Sequence, residues 1–81
     1  MDEKTILERL TFIIRSTLDN DNIVLSRATT AADVEEWDSV AHVRIMVAVE
    51  QEFGIMFDTD ELSDIENVGA LIDLVQTKLA A

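Results

Sequence analysis

Ser39 is the residue of this chain best placed for chemistry, because it stands where a long polar connection gives way to an amphipathic helix. The N-terminus of a helix offers free backbone N–H groups and the positive end of the helix dipole, which together favour a phosphate group. His42, the single histidine, follows one turn later, where a serine–base pair is rare, and no oxyanion loop is visible. The sequence therefore indicates a serine that another protein modifies, and the chain is not expected to be an enzyme.

Asp38 and Ser39 also admit a purely structural interpretation. Aspartate and serine both accept hydrogen bonds from the first N–H groups of a helix, so either residue could be the cap while the other lies just inside the first turn. On that interpretation Ser39 is never modified, and the chain is a helical interaction module.

Metal binding and disulfide chemistry are not expected. The acidic segments 19–24 and 58–63 begin like calcium loops, but neither has the glycine that the turn of such a loop requires. The chain has no cysteine, which excludes disulfides and thiolate metal sites. Any thiol chemistry must come from a cofactor.

The size and charge of the chain limit its partners. Its 81 residues are expected to form one domain, residues 1–81. Seventeen acidic and six basic residues give a net charge of −11, which repels nucleic acid and anionic lipid and attracts basic surfaces. Neither a leader segment nor an apolar run of about 20 residues is evident. We therefore expect a cytoplasmic monomer without nucleic-acid or membrane partners.

The apolar spacing predicts an all-α fold. Apolar residues at three- and four-residue spacing predict helices over 5–18 and 39–53, the second closed by Gly54, and a last helix after Asn67. The buried stripe of that last helix is predicted to be Val68, Leu71, Ile72, Val75 and Leu79. Capping residues in 58–61 predict a brief additional helix. The prediction is a small four-helix bundle, with three main helices, one short helix and a long loop over 19–38.

The predicted second helix carries two apolar stripes. The first stripe is Ile45, Met46, Val49 and Phe53, and the second is Val40, Val43 and Val47. A small bundle easily buries only one face of a helix. The second stripe is therefore either covered by the long loop or partly exposed for a partner.

The segment from Trp37 to Ile55 resembles the acyl carrier protein family. It contains Asp-Ser-Val-x-x-Val-x-Ile-Met-Val-x-Val-Glu-x-x-Phe-Gly-Ile, and the resemblance extends over essentially the whole chain. The resemblance implies that Ser39, preceded by Asp38, carries 4′-phosphopantetheine transferred from coenzyme A by a phosphopantetheinyl transferase. The thiol of this arm would hold an acyl group as a thioester. Free-standing carriers of this kind present the group to acyl-loading and acyl-accepting enzymes.

Partner enzymes with basic surfaces are expected on the second helix and the segment after it. The predicted recognition residues are Val40, Val43, Arg44, Val47, Glu50, Asp60 and Glu61. His42 is predicted to face solvent or a partner. Trp37 is predicted to anchor the loop in the core, although a position beside the arm is equally compatible with the sequence.

Three departures from the family pattern indicate a specialised pathway, polyketide-like or another secondary pathway. Val40 replaces the usual leucine, and residues 35–37 lack the usual glycine. The first turns of the second helix read Ala41, His42 and Arg44 where fatty-acid carriers are usually acidic. An aminoacyl or peptidyl carrier, using the same arm for another cargo, remains an alternative.

Overall fold

All four predicted helices are present in the computed structural model, which describes residues 1–80; Ala81, the last residue of the predicted domain, lies outside the described residues. The helices are α1 (Glu3–Leu18), α2 (Ser39–Phe53), α3 (Thr59–Ser63) and α4 (Val68–Ala80). No strand occurs within residues 1–80, so the all-α prediction is confirmed. The long connection between α1 and α2 also contains a short 3₁₀ turn, Ala31–Asp33, which the sequence patterns did not predict.

The core lies between α1, α2 and α4, and α1 contacts both of the other helices. The largest fully buried side chains are Ile6, Leu10, Ile14, Ile45, Met46, Leu71, Ile72, Val49, Val68 and Val75. The prediction for Leu79 is wrong, since its side chain is 36% exposed. It lies in the last turn of α4, beyond Val75, which is the final buried side chain of the described residues.

Side-chain and backbone caps set the ends of α1 and α2. The Asp2 carboxylate accepts a hydrogen bond from the Thr5 N–H at 2.8 Å, so α1 begins two residues before the apolar stripe predicts. Gly54 has φ +65°, a left-handed conformation that glycine adopts at little cost, and it closes α2 as predicted.

Backbone hydrogen bonds hold the long connection against the start of α4. The Val68 N–H donates to the Thr29 carbonyl and the Gly69 N–H to the Arg27 carbonyl, both at 2.8 Å. These are N–H groups of the first turn of α4, which no carbonyl of α4 itself could satisfy. A Cβ on Gly69 would lie 3.0 Å from the Arg27 carbonyl oxygen, so a larger residue here would crowd this close approach. The segment leading to Ser39 is therefore fixed to the bundle.

The short α3 is attached mainly through polar contacts. Its first turn carries a capping box, in which Glu61 accepts from the Asp58 N–H at 2.8 Å. Lys78 of α4 forms an ion pair with Glu61 at 2.8 Å. Within α3, all of which is described, no side chain is buried. None of the helices in residues 1–80 is both long and apolar enough to cross a membrane.

Candidate functional site

Ser39 is exposed at the first residue of α2, and Asp38 is the helix cap. Asp38 Oδ1 accepts from the Ala41 N–H at 2.8 Å, and the Asp38 carbonyl accepts from the His42 N–H at 2.9 Å. Because the Asp38 side chain already accepts from the Ala41 N–H in the first turn, the Ser39 hydroxyl is not needed for capping. The sequence left open which of the two residues caps the helix, and the structure gives that role to Asp38.

An open cleft of about 420 Å³ lies beside Ser39. Its walls are Ala31, Trp37, Asp38, Ser39 and His42. Ala31 reaches the cleft because it begins the 3₁₀ turn, and Trp37 because the end of the long connection folds back onto α2. The volume falls within the range of about 300–1,000 Å³ that is usual for small-molecule sites.

Trp37 and His42 form a hydrogen-bonded pair at the wall of this cleft. Trp37 is 8% exposed and belongs to the core, which confirms the predicted anchor. Its indole N–H donates to His42 Nδ1 at 3.1 Å, and the two rings stack with centroids 6.1 Å apart. His42 Nε2 faces the Leu62 carbonyl oxygen at 3.4 Å. His42 was predicted to face solvent or a partner. It lines the open cleft, but its ring is half-buried and makes contacts within the chain, so only part of it is accessible.

The same pair weakens the case for hydrolytic chemistry. An indole nitrogen can only donate, so His42 Nδ1 must be the acceptor, and the proton of the neutral ring is on Nε2. With Nδ1 bonded to Trp37 and Nε2 directed at Leu62, neither nitrogen is free to take a proton from Ser39. Within residues 1–80, no group of three or more His, Cys, Asp or Glu residues is placed to hold a metal ion.

The residues around Ser39 fit a phosphopantetheine group. The hydroxyl is exposed, and the helix N-terminus favours the negative charge of a phosphodiester. No carboxylate lies in the first turn of α2 to repel that charge, although the capping Asp38 is adjacent. The cleft beside Ser39 would give such an arm room where it left the helix.

The predicted recognition residues on α2 differ in accessibility. Val40, Val43 and Val47 are 71%, 57% and 46% exposed, so the second apolar stripe is uncovered, the second of the two possibilities that the sequence left open. Arg44 is exposed on the same helix. Glu50 is half-buried and accepts from the Phe57 N–H at 2.8 Å, which ties the end of α2 to the segment before α3.

The two predicted recognition residues on α3 also differ. Asp60 is exposed, whereas Glu61 is half-buried and engaged by Asp58 and Lys78. The hydrogen bond from the Asp58 N–H, and then the Lys78 ammonium, hold the pKa of Glu61 below its ordinary value. The structure therefore gives Glu50 a role within the chain that its sequence position did not indicate. Glu61 belongs to the predicted capping segment 58–61, but its ion pair with Lys78 was not predicted.

Two features of the site were missed by sequence reasoning. The 3₁₀ turn that supplies Ala31 had a local signal, since Thr30 and Asp33 have the spacing of a capping box. The Trp37–His42 hydrogen bond had no such signal, because five-residue spacing across a helix start fixes no side-chain direction.

The fold and the site define a small helical domain with an exposed serine, Ser39, at the N-terminus of its second helix. The family described as "phosphopantetheine attachment site" matches residues 8–75. Acyl carrier protein from Thermosynechococcus vestitus is 30% identical over 82 residues, and that from Guillardia theta is 28% identical over 81, each across the whole of both chains. The solution NMR structure of holo acyl carrier protein from Geobacter metallireducens has 46% sequence identity and a TM-score of 0.86, covering 91% of this chain and 85% of that one.

This chain belongs to the acyl carrier protein family. Membership makes it a carrier rather than an enzyme, with 4′-phosphopantetheine as its covalently attached group.

Proposed function

We propose that Ser39 is the attachment point of the arm and that residues 1–81 act as one carrier domain. The observation that carries this proposal is the exposed Ser39 at the N-terminus of α2, with Asp38 as the cap and the cleft beside it. The Ser39 oxygen attacks the phosphorus next to the pantetheine arm of coenzyme A, the pyrophosphate bond breaks, and adenosine 3′,5′-bisphosphate leaves. A transferase supplies the catalysis and takes up the hydroxyl proton. The thiol of the arm then holds an acyl group as a thioester for partner enzymes.

Intact-mass measurement tests this assignment. The chain is incubated with coenzyme A and a promiscuous phosphopantetheinyl transferase. The wild type should gain the mass of one phosphopantetheine, and Ser39→Ala should gain nothing while remaining helical by circular dichroism. Ser16→Ala, at an exposed serine of α1, is the matched control and should be loaded like the wild type. Loading of Ser39→Ala would reject the site, and an unloaded wild type would favour the unmodified interaction module.

The exposed stripe of α2 is our proposed docking face for these enzymes. Its apolar centre consists of Val40, Val43 and Val47. Arg44 of α2 and Asp60 of α3 add exposed charges of opposite sign. Glu50 and Glu61 contribute negative potential through the part of each side chain that stays accessible. A partner patch with an apolar centre and a basic rim complements this surface, and salt should weaken the association. The net charge of −11 supports a monomer, because copies of the chain repel one another.

We further propose that the carrier serves a specialised pathway, polyketide-like or another secondary pathway. The first turn of α2 contains no acidic residue, and Arg44 places a positive charge on the proposed docking face. Arg44 would repel a basic enzyme surface that is optimised for an acidic helix, and the first turn of α2 would offer that surface no attraction. Loading assays with acyl-transferring enzymes of different pathways, compared between the wild type and Arg44→Glu, test this proposal. A higher transfer rate of Arg44→Glu with a fatty-acid enzyme would support it, and an unchanged rate would count against it.

A further inference from the structure

We propose that His42 is a positioning residue that connects α3 to the segment before Ser39 through its two ring nitrogens. The proposal rests on the assignment of Ser39 as the attachment point. It concerns how that serine is held, a role that neither the family match nor the motif gives to His42.

The first link holds the backbone on both sides of Ser39. Trp37 lies two residues before Ser39 and His42 three residues after it, and the indole–imidazole hydrogen bond of 3.1 Å joins them. Together with the backbone between these two residues, the bond closes a ring that contains Ser39. Trp37 is itself fixed, because its side chain is buried and its backbone N–H donates to the Val34 carbonyl at 3.0 Å. The bond therefore limits how the start of α2 can turn relative to the core.

The second link reaches α3. His42 Nε2 carries the ring proton and points at the Leu62 carbonyl oxygen, 3.4 Å away, near the end of α3. α3 has five residues, and Leu62 is its only apolar side chain, which packs against the core without being buried. With so little buried surface, α3 depends on polar contacts such as Lys78–Glu61 and His42–Leu62.

Both links use the same rigid ring, and this makes them interdependent. The bond from Trp37 fixes the proton on Nε2 and the orientation of the ring, and these two conditions let Nε2 donate to Leu62. Losing the Trp37 bond frees the ring to turn, so that the Leu62 bond weakens. A carrier whose Ser39 segment is correctly oriented for only part of the time has a lower apparent affinity for its transferase.

Two substitutions separate the links. In His42→Asn, the amide oxygen takes about the position of Nδ1 and can accept from Trp37, but the side chain is too short to reach Leu62. In His42→Gln, the amide NH₂ extends to about the position of Nε2, but the indole N–H loses its acceptor. Trp37→Phe keeps an aromatic ring in the core and removes the donor.

The first measurement is the steady-state kinetics of loading with coenzyme A and a promiscuous phosphopantetheinyl transferase. His42→Gln and Trp37→Phe should raise the KM for the carrier about five- to tenfold, the size expected for one lost hydrogen bond, with kcat unchanged. His42→Asn should stay within about twofold of the wild type. Val75→Ala, which removes buried volume from α4 far from the site in sequence, controls for stability and should load with the wild-type KM.

The second measurement is amide hydrogen exchange of the unloaded protein. Trp37→Phe should speed the exchange of two backbone amides, that of Leu62 in α3 and that of Asp64, which caps α3. This effect is expected although the indole itself bonds only to His42. Equal KM values for His42→Asn and His42→Gln, or unchanged exchange in α3, would overturn the proposal. If the wild type is not loaded at all, the Ser39 assignment fails, and hydrogen exchange alone then decides whether His42 couples the two segments.

Discussion

Asp38 and Ser39 divide two tasks that a single residue often combines. A first-turn N–H of α2 needs an acceptor, and the Asp38 carboxylate supplies it at 2.8 Å. The neighbouring hydroxyl is thereby left exposed at the positive end of the helix, which suits the charge of a phosphodiester. An aspartate before the serine is thus explained by capping, independently of any contact with a transferase.

The capping role of Asp38 gives a direct stability prediction. Asp38→Ala should lower the free energy of unfolding by about 0.5–2 kcal/mol, since the Ala41 N–H loses its acceptor. Asp38→Asn, whose amide oxygen can still accept, should lose much less. Urea unfolding followed by circular dichroism measures both, with Asp21→Ala, an exposed aspartate of the long connection, as the control. An Asp38→Ala protein as stable as the Asp21→Ala protein would show that the cap contributes nothing.

Local sequence patterns could predict that α2 begins at Asp38 and Ser39, but not which of the two residues is the cap or what surrounds them. Asp38 and Ser39 stand before a strong apolar period, so a helix start there follows from short-range rules alone. The half-buried His42 could not be inferred in this way. Its environment depends on a bond to Trp37 and on the position of α3, and neither contact leaves a periodic trace in the sequence.

At the level of elements, α2 is apolar on two faces and buries only one of them. Ile45, Met46 and Val49 are essentially unexposed, whereas the stripe of Val40, Val43 and Val47 faces outward. The spacing of the apolar residues predicted both stripes. It could not say which one the bundle would cover, because that depends on where the long connection runs.

Substitution of Val47 tests the exposed stripe. Val47 is 46% exposed, so Val47→Asp should change the melting temperature little but should weaken loading by a partner that docks on this face. Val24→Asp is the matched control, since Val24 is 80% exposed on the long connection, and it should affect neither property. A Val47→Asp protein that unfolds would mean that the stripe belongs to the core. Equal loading of both variants would place the docking surface elsewhere.

Glu50, one of the predicted recognition residues, is a poor probe of the same face. Its carboxylate accepts the Phe57 N–H at 2.8 Å, and Phe57 is buried. Glu50→Lys would therefore disturb the segment before α3 as well as the surface charge. A loss of loading in that variant would not separate recognition from structure, whereas Val47→Asp does.

The attachment of α3 to α4 through Glu61 should weaken as the pH becomes acidic. The Asp58 N–H and Lys78 lower the pKa of Glu61 below the ordinary 4.5 in the folded state. The group therefore stabilises the fold fully above its ordinary value, and this contribution is lost as the pH falls through the lowered folded value. An NMR titration of the Asp58 amide, which donates to Glu61, should show its transition below pH 4.5.

Lys78→Ala provides the comparison for this titration. Without the ammonium group, the Glu61 transition should move to higher pH, though not fully to the ordinary value, because the Asp58 hydrogen bond remains. Glu61→Gln should abolish the transition. Identical midpoints in the wild type and Lys78→Ala would show that this ion pair does not form in solution.

For the molecule as a whole, repulsion between its negative charges opposes the stabilisation that the apolar core provides. The net charge of −11 on 81 residues means that acidic side chains repel one another, so added salt should raise stability by screening that repulsion. The core that resists this repulsion is mostly aliphatic, with Met46 fully buried between its neighbours. Methionine repacks more readily than branched side chains, so a core of this composition can part slightly to admit an apolar chain.

The response of stability to cargo follows from this composition. A long acyl group that enters the core binds only the folded state, so it should raise the melting temperature, by about 4–8 °C for each kcal/mol gained in a domain of this size. A short polar group should leave the midpoint near that of the unloaded protein. Thermal unfolding of unloaded, acetyl-loaded and octanoyl-loaded protein at one salt concentration makes the comparison. Ser39→Ala treated with the same reagents is the control and should not shift. Three equal midpoints would mean that the cargo stays in solvent, as expected for a carrier of small polar units.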